Sequence, residues 1–384
     1  MMKIKDLELF KLPPRWLFIK ITTENGIEGW GEPEVEGRAD TVKTAVEEMA
    51  EYIIGKDCRQ IEDIWQLLYR GGFYRGGPVL MSAIAGIDQA LWDIKGKLLG
   101  VPVYDLLGGP VRDKMKVYSW VGGDKVVNVA EHAKKRVSQG FHAIKMNACA
   151  NLEWMIDGPD KLEDIVKRIA SVREAVGPGI GLGIDFHGRV HKGMAKILMR
   201  ELEFLKPMFV EEPVLSENKD AFFALSQYTT IPIATGERCY SRWDFKPFFE
   251  QGSIDIIQPD LSHAGGISEV RRIAAMAECY DMALAPHCPL GPISLAAALQ
   301  VDFCSINAFI QEISMGIHYN EKADLLDYLK NPEVFKINEG YIDRPKLPGL
   351  GIQIDEDKVR EFANRAENWK NPVWRNEDGS VAEW

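Results

Sequence analysis

The chain has 384 residues, 46% of them hydrophobic and 27% charged, enough to bury one large domain or a large domain with a smaller companion. A formal net charge of -11 and a pI near 5.3 argue against nucleic acid and acidic membrane surfaces as partners, both of which call for clustered Lys and Arg. Six scattered cysteines without a CxxC pair, no apolar export leader and no long apolar run predict a soluble, cytoplasmic protein with reduced thiols.

The first stretch, residues 1–112, reads as an α+β unit. IKDLELFKL and WLFIKIT alternate as half-buried strands, and the Asn25-Gly26 step predicts a tight hairpin into a third strand, IEGWGE. Helical spacing follows at Val42, Ala45, Val46, Met49 and Ile53, then at Ile84, Ile87, Leu91, Ile94 and Leu98. Between the two helices RGGFYRGGP, residues 70–78, reads either as a flexible connector or as a loop that covers a ligand.

From residue 113 to 322 short apolar strands alternate with helical segments, the pattern of βα units and a parallel sheet. The strands are KVYSWVG, HAIKMN, IGLGIDFHG, PMFVEEP, IPIATGE, IDIIQPD, MALAPH and AFIQEI, with SEVRRIAAMAECY among the helices. Eight such units predict an α/β fold of (β/α)8 barrel type with an irregular last helix. After residue 322 the repeat dissolves into Pro- and Gly-rich turns and a final helix, DEDKVREFANRA.

Successive strands end in polar residues: Asp185, Glu211, Glu237, Asp260, His287 and Glu312, at steps of 26, 26, 23, 27 and 25 residues. Each step is one βα unit, so in a parallel barrel these side chains converge on one rim. Asp185, Glu211 and Glu237 end three consecutive strands. Three crowded carboxylates repel one another unless a cation sits between them, and an all-oxygen set with open positions suits Mg2+, whereas zinc would recruit His or Cys. Glu212 is the weaker ligand, because strand alternation turns it away from Glu211. His187 would share the face of Asp185 if the strand continued. Asp260 and His287 end adjacent strands, so the carboxylate can hold one ring nitrogen while the other faces a substrate.

The carboxylate triplet, the KMN strand, the QPD and APH ends and the small N-terminal unit resemble the enolase superfamily, mandelate racemase subgroup. Longer stretches, among them WGEPEVEGRA, DFHGRV, QPDLSHAGGI, APHCPLGPI and the ending NPVWRNEDGSVAEW, are similar to its sugar-acid dehydratases almost from end to end. The resemblance implies a modified barrel under an α+β capping domain that residues 323–384 complete. It implies Mg2+ on Asp185, Glu211 and Glu237, His187 as general acid, His287 with Asp260 as general base, and Lys145 with a protonated Glu312 facing the substrate carboxylate. Dehydration of a sugar acid is the expected reaction, galactonate first, with gluconate, mannonate or fuconate as alternatives. Racemases of the subgroup carry a second Lys where this chain has Asn147, which argues against two-base racemisation. Asn147, Arg15, Trp16 and Tyr74 are the expected substrate contacts, and the resemblance implies a homo-oligomer, an octamer.

Overall fold

In the computed structural model, which describes residues 2–122, 126–149, 155, 156 and 158–383, the N-terminal hairpins form where the turn chemistry places them. β1 (Ile4–Leu12), β2 (Trp16–Thr23) and β3 (Glu28–Gly31) make an antiparallel sheet, and Gly26 turns the second hairpin at φ +80°. The helices α1 (Ala39–Ile53), α2 (Ile61–Arg70) and α3 (Pro78–Leu99) cover it, and α1 buries all five residues of its apolar stripe. Gly31 permits the close approach of β3 to α3: a Cβ there would lie 1.9 Å from the carbonyl oxygen of Gly86.

β2 is buried on both faces rather than one. Leu17, Ile19 and Ile21 face the helices, while Trp16 and Phe18 pack edge-on against Tyr328, which comes from the C-terminal segment. Residues beyond 322 therefore return to the N-terminal unit. Their last helix, α12 (Glu356–Ala363), reaches β1 and β2 through Arg360–Glu8 and Lys20–Glu356 ion pairs, both 2.8 Å.

After a short turn of helix, α4 (Val103–Leu106), the eight expected parallel strands follow in order. They are β4 (Lys114–Val121), β5 (Ala143–Asn147), β6 (Gly181–Asp185), β7 (Phe209–Glu211), β8 (Ile233–Thr235), β9 (Ile256–Ile257), β10 (Ala283–Leu284) and β11 (Gln311–Ile313). From β4 to β10 each strand pairs with the next, β11 closes on β4 with Glu312 opposite Tyr118, and only an isolated Leu284–Ala308 bridge links β10 to the approach of β11 among the described residues. The connecting helices are α5 (Val126–Ser138), α6 (Pro159–Val176), α7 (Lys192–Leu202), α8 (Lys219–Ser226), α9 (Arg242–Gln251), α10 (Gly266–Glu278) and α11 (Pro292–Cys304). No α-helix directly follows β11 among the described residues, where 3-10 turns and a hairpin, β12 (Ile337–Asn338) with β13 (Tyr341–Asp343), replace the expected irregular helix. Side chains of Tyr118, Ala143, Phe209, Ala234, Ile256 and Ile310 fill the barrel interior, so its chemistry is confined to the rim.

The capping unit is fastened to that rim by Glu32, a fully buried carboxylate that accepts backbone N–H bonds from Gly291 (2.6 Å), Ser294 (2.9 Å) and Ile293 (3.2 Å). These are orphan donors at the start of α11, which a carboxylate is suited to satisfy. The loop they anchor carries His287.

Candidate active site

Strand register brings the acids together. Asn147, Asp185 and Glu211 lie side by side across β5, β6 and β7, and Glu237 follows two residues after β8. One carboxylate oxygen of each of Asp185, Glu211 and Glu237 lies within 4.8 Å of the others, a group able to hold a metal ion. The Lys145 ammonium, itself buried, stands 2.7 Å from Glu211, 3.0 Å from Glu312 and 3.6 Å from Asp185. One ammonium cannot balance these charges. Burial and the neighbouring carboxylates push Asp185 well above the ordinary carboxylate range and Glu237 up to about 8, so the donor set is short of positive charge, as expected of residues that fit a divalent cation. The Gln258 amide fixes the remaining Glu211 oxygen at 2.6 Å, a contact hidden in the sequence because a Gln inside an apolar strand reads as ordinary strand composition.

Glu212 points away, as alternation requires. It is fully buried and pairs with Arg238, whose Nε lies 3.1 Å from both its oxygens.

His187 reaches the site by a different route from the one expected. β6 stops at Asp185, and His187 then takes φ +50°, its backbone N–H donating to Asp185 Oδ1 at 2.8 Å. That left-handed turn brings Nε2 to 3.1 Å from Asp185 Oδ2. Burial and the surrounding cations Arg189 and Lys145 lower the proton affinity of the ring well below that of a free imidazole.

Asp260 and His287 form the expected dyad, although both lie three residues past the regular ends of β9 and β10. Asp260 Oδ2 is 2.9 Å from His287 Nδ1, and Asp260 Oδ1 accepts the Ser262 N–H at 2.6 Å. Nε2 of His287 faces Glu237 at 3.2 Å. Burial opposes a charge on this ring, but Glu237, Asp260 and Glu312 outweigh it and hold the imidazole up to about 10. A cation on Glu237 would remove part of that pull and return the ring toward neutrality.

Burial favours the protonated form of Glu312, yet Lys145 and His287 bring its carboxyl below the ordinary range. One oxygen holds Lys145, and the other accepts the Cys288 N–H at 3.0 Å, next to His287.

All of this opens into a cavity of about 1570 Å³ lined by Lys145, Asn147, His187, Glu237, His287 and Glu312. Asn147 Oδ1 is buried without a hydrogen-bond donor, as an acceptor awaiting a ligand hydroxyl would be. Arg15 also lines the cavity, held by the Pro289 carbonyl at 3.2 Å and stacked on the ring of Tyr319. Two expected contacts fail. Trp16 is fully buried against Phe18 and Tyr328 and forms no part of the wall, because β2 turns it into the seam with the C-terminal segment. Tyr74 is 86% exposed and off the wall; of its glycine-rich loop only Pro78 touches the cavity. Glu36 and His263 went unread. His263 lines the cavity 3.5 Å from Glu36 and 3.8 Å from Asp260, and its position three residues after a strand-end acid was the available signal.

A capped barrel whose rim sets two imidazoles on either side of a carboxylate triplet defines an enzyme of the enolase type, in which a base removes a proton beside a carboxylate. Residues 14–108 match the mandelate racemase / muconate lactonizing enzyme N-terminal domain, and residues 128–358 match the enolase C-terminal domain-like family. The chain belongs to this family. Two curated relatives, the D-galactonate dehydratases of Ralstonia pickettii and Ralstonia nicotianae, are each 58% identical over 383 residues, covering 100% of both chains. A crystal structure of an enolase superfamily member from Salmonella Typhimurium is 32% identical, covers 94% of this chain and 98% of its own, and superposes with a TM-score of 0.86.

Proposed function

We propose that the protein is a hydro-lyase that converts D-galactonate to 2-dehydro-3-deoxy-D-galactonate and water. The observation that carries the reading is the placement of two imidazoles at opposite ends of the triplet, His187 at Asp185 and His287 at Glu237. Asp185, Glu211 and Glu237 would hold Mg2+, which when bound supplies the positive charge that acidifies the C2 proton and meets the charge of the enediolate.

The chain's own residues do the rest. Asp260 keeps the Nδ1 proton of His287 in place, so that Nε2 presents its lone pair to the C2 proton. Lys145 faces the charge that develops on the substrate carboxylate, and such preorganised charge is often the largest single contribution to catalysis. Glu312 holds Lys145 and takes up a proton as the substrate carboxylate arrives. Asn147 accepts a hydroxyl, and no second base stands in its place. His187, once the anionic substrate offsets the charges of Arg189 and Lys145 and the ring takes up a proton, donates it to the departing 3-hydroxyl, which leaves as water, and the enol relaxes to the 2-keto acid.

The full-length 58% identity to two D-galactonate dehydratases supports galactonate as substrate. Initial rates of 2-keto acid formation with galactonate, gluconate, mannonate and fuconate test it. Selective turnover of galactonate is expected, and faster turnover of an epimer would replace the substrate while leaving the chemistry. The proposal includes a cytoplasmic location, consistent with six free cysteines, and a homo-octamer, which rests on the family resemblance alone.

A further inference from the structure

The C-terminal segment does more than complete the capping unit. Residues 367–383 contain no helix, yet they are tied down on both sides of the cavity mouth. On the capping side Lys11 bonds Asn368, and Gly37 lies so close to Asn371 that a Cβ would come within 2.8 Å of its side chain. On the barrel side Lys322 pairs with Glu367 at 2.9 Å, and Arg189, two residues past His187, stacks 4.7 Å from the ring of Trp374. Arg15 joins the two, lying 4.8 Å over Tyr319 of the barrel and 5.3 Å over Trp369 of the segment.

Beyond these anchors the chain makes a small hairpin, with Arg375 bridged to Val381 and the Asn376 N–H donating to the Ser380 carbonyl at 2.9 Å. Gly379 turns it at φ +84°, which a glycine adopts without strain. Burial alternates along the near arm: Pro372, Trp374 and Asn376 are half-buried, while Val373, Arg375 and Glu377 are exposed. Trp374 and Asn376 both line the cavity, as do Arg375, Glu377 and Asp378 of the same hairpin, and the Asn376 amide donates to Ser380 Oγ at 3.0 Å. Their anchor, Arg189, ties this wall to the end of β6, where His187 and Asp185 stand.

We propose that this C-terminal strap is the wall that reads the far end of the sugar acid, with the Trp374 ring packed against its carbon chain and Asn376 bonding a distal hydroxyl. The proposal rests on the sugar-acid reading above and assigns specificity to residues that are neither metal ligands nor the two histidines.

Titration calorimetry on the Mg2+-loaded full-length chain carrying His287→Asn, which binds without turnover, tests it with two probes, D-galactonate and a four-carbon aldonic acid of the same C2 and C3 configuration. Trp374→Ala and Asn376→Ala should each weaken galactonate about tenfold or more and leave the shorter acid within about twofold, since the strap has nothing to touch beyond C4. Trp374→Phe should recover most of the loss. Equal weakening of both acids, or of neither, would overturn the strap's role. Failure of the dehydratase reading shows separately, as binding without turnover in the unsubstituted chain, and failure of both acids to bind that chain would overturn both.

Discussion

Replacing Asp260 by Asn is a sharp perturbation of the base because the geometry decides which way the amide must face. Asp260 Oδ1 accepts the Ser262 N–H at 2.6 Å, so the amide oxygen stays there and the NH2 group takes the place of Oδ2, 2.9 Å from His287 Nδ1. An NH2 group can only donate, which strips the proton from Nδ1 and moves it to Nε2, where the base needs a lone pair. Turning the amide over would leave the Ser262 N–H without an acceptor, at a cost of about 1–3 kcal/mol. Loss of the hydrogen bond to the imidazolium removes about 1.5–3 kcal/mol more. Together these come to about 2.5–6 kcal/mol, or roughly two to four orders of magnitude in kcat. The same tautomer error in a serine-protease triad lowers kcat by about 10⁴. Asp260→Ala leaves the ring free to choose its tautomer and should be milder, about 10- to 100-fold. Initial rates of keto-acid formation at saturating galactonate, with circular dichroism and Mg2+ binding as controls on folding, decide the matter. An Asn variant within tenfold of the unsubstituted chain, or an Ala variant slower than the Asn variant, would refute the reasoning.

Other expectations follow from the same geometry. Chelation should abolish activity and lower Tm, and Mg2+ at about 100 times its Kd should restore about 2.7 kcal/mol of stability; Glu237→Gln should weaken Mg2+ about a hundredfold by calorimetry, and an unchanged isotherm would remove Glu237 from the ligand set. Lys145→Met should lower kcat by at least about 10²-fold while the chain still binds Mg2+, and a loss confined to KM would reassign Lys145 to ground-state binding. Asp302, fully buried on α11 with neither carboxylate oxygen bonded, is pushed well above the ordinary range by burial. Its raised folded pKa means that its contribution to stability is complete below the unfolded value of about 4 and is lost as pH rises toward the folded one, at about 1.4 kcal/mol per pH unit. The Tm advantage of Asp302→Asn should therefore grow from pH 5 to pH 8, and an advantage that shrinks over that range would contradict it.

How much of this was legible in the sequence depended on period. The eight barrel strands and the near-constant step between their polar ends could be read because one βα unit repeats, and a parallel barrel turns that repeat into convergence. Alternation also placed Glu212 away from the metal site. Beyond the strand ends the rule stops. His187 comes round by a left-handed turn, and Gln258 and His263 reach the site from positions that no periodicity marks. Trp16 misled because β2 is covered on its second face by Tyr328, more than 300 residues away, a long-range contact invisible in local alternation. Tyr74 misled because a glycine-rich loop with aromatics specifies mobility of the backbone and not its direction. The strap at residues 367–383 stood out only as a stretch of resemblance, and its two-sided anchoring needed the fold.

The central claim is that His287 removes the C2 proton and His187 delivers a proton to the leaving hydroxyl. It is tested most directly by following C2 deuterium exchange and keto-acid formation together in D2O with Mg2+ and galactonate, for the unsubstituted chain, His187→Asn and His287→Asn. The account predicts that His187→Asn still exchanges C2 with solvent but loses water at least about 10²-fold more slowly, and that His287→Asn does neither. Exchange that survives in His287→Asn, or dehydration that survives in His187→Asn, would contradict it.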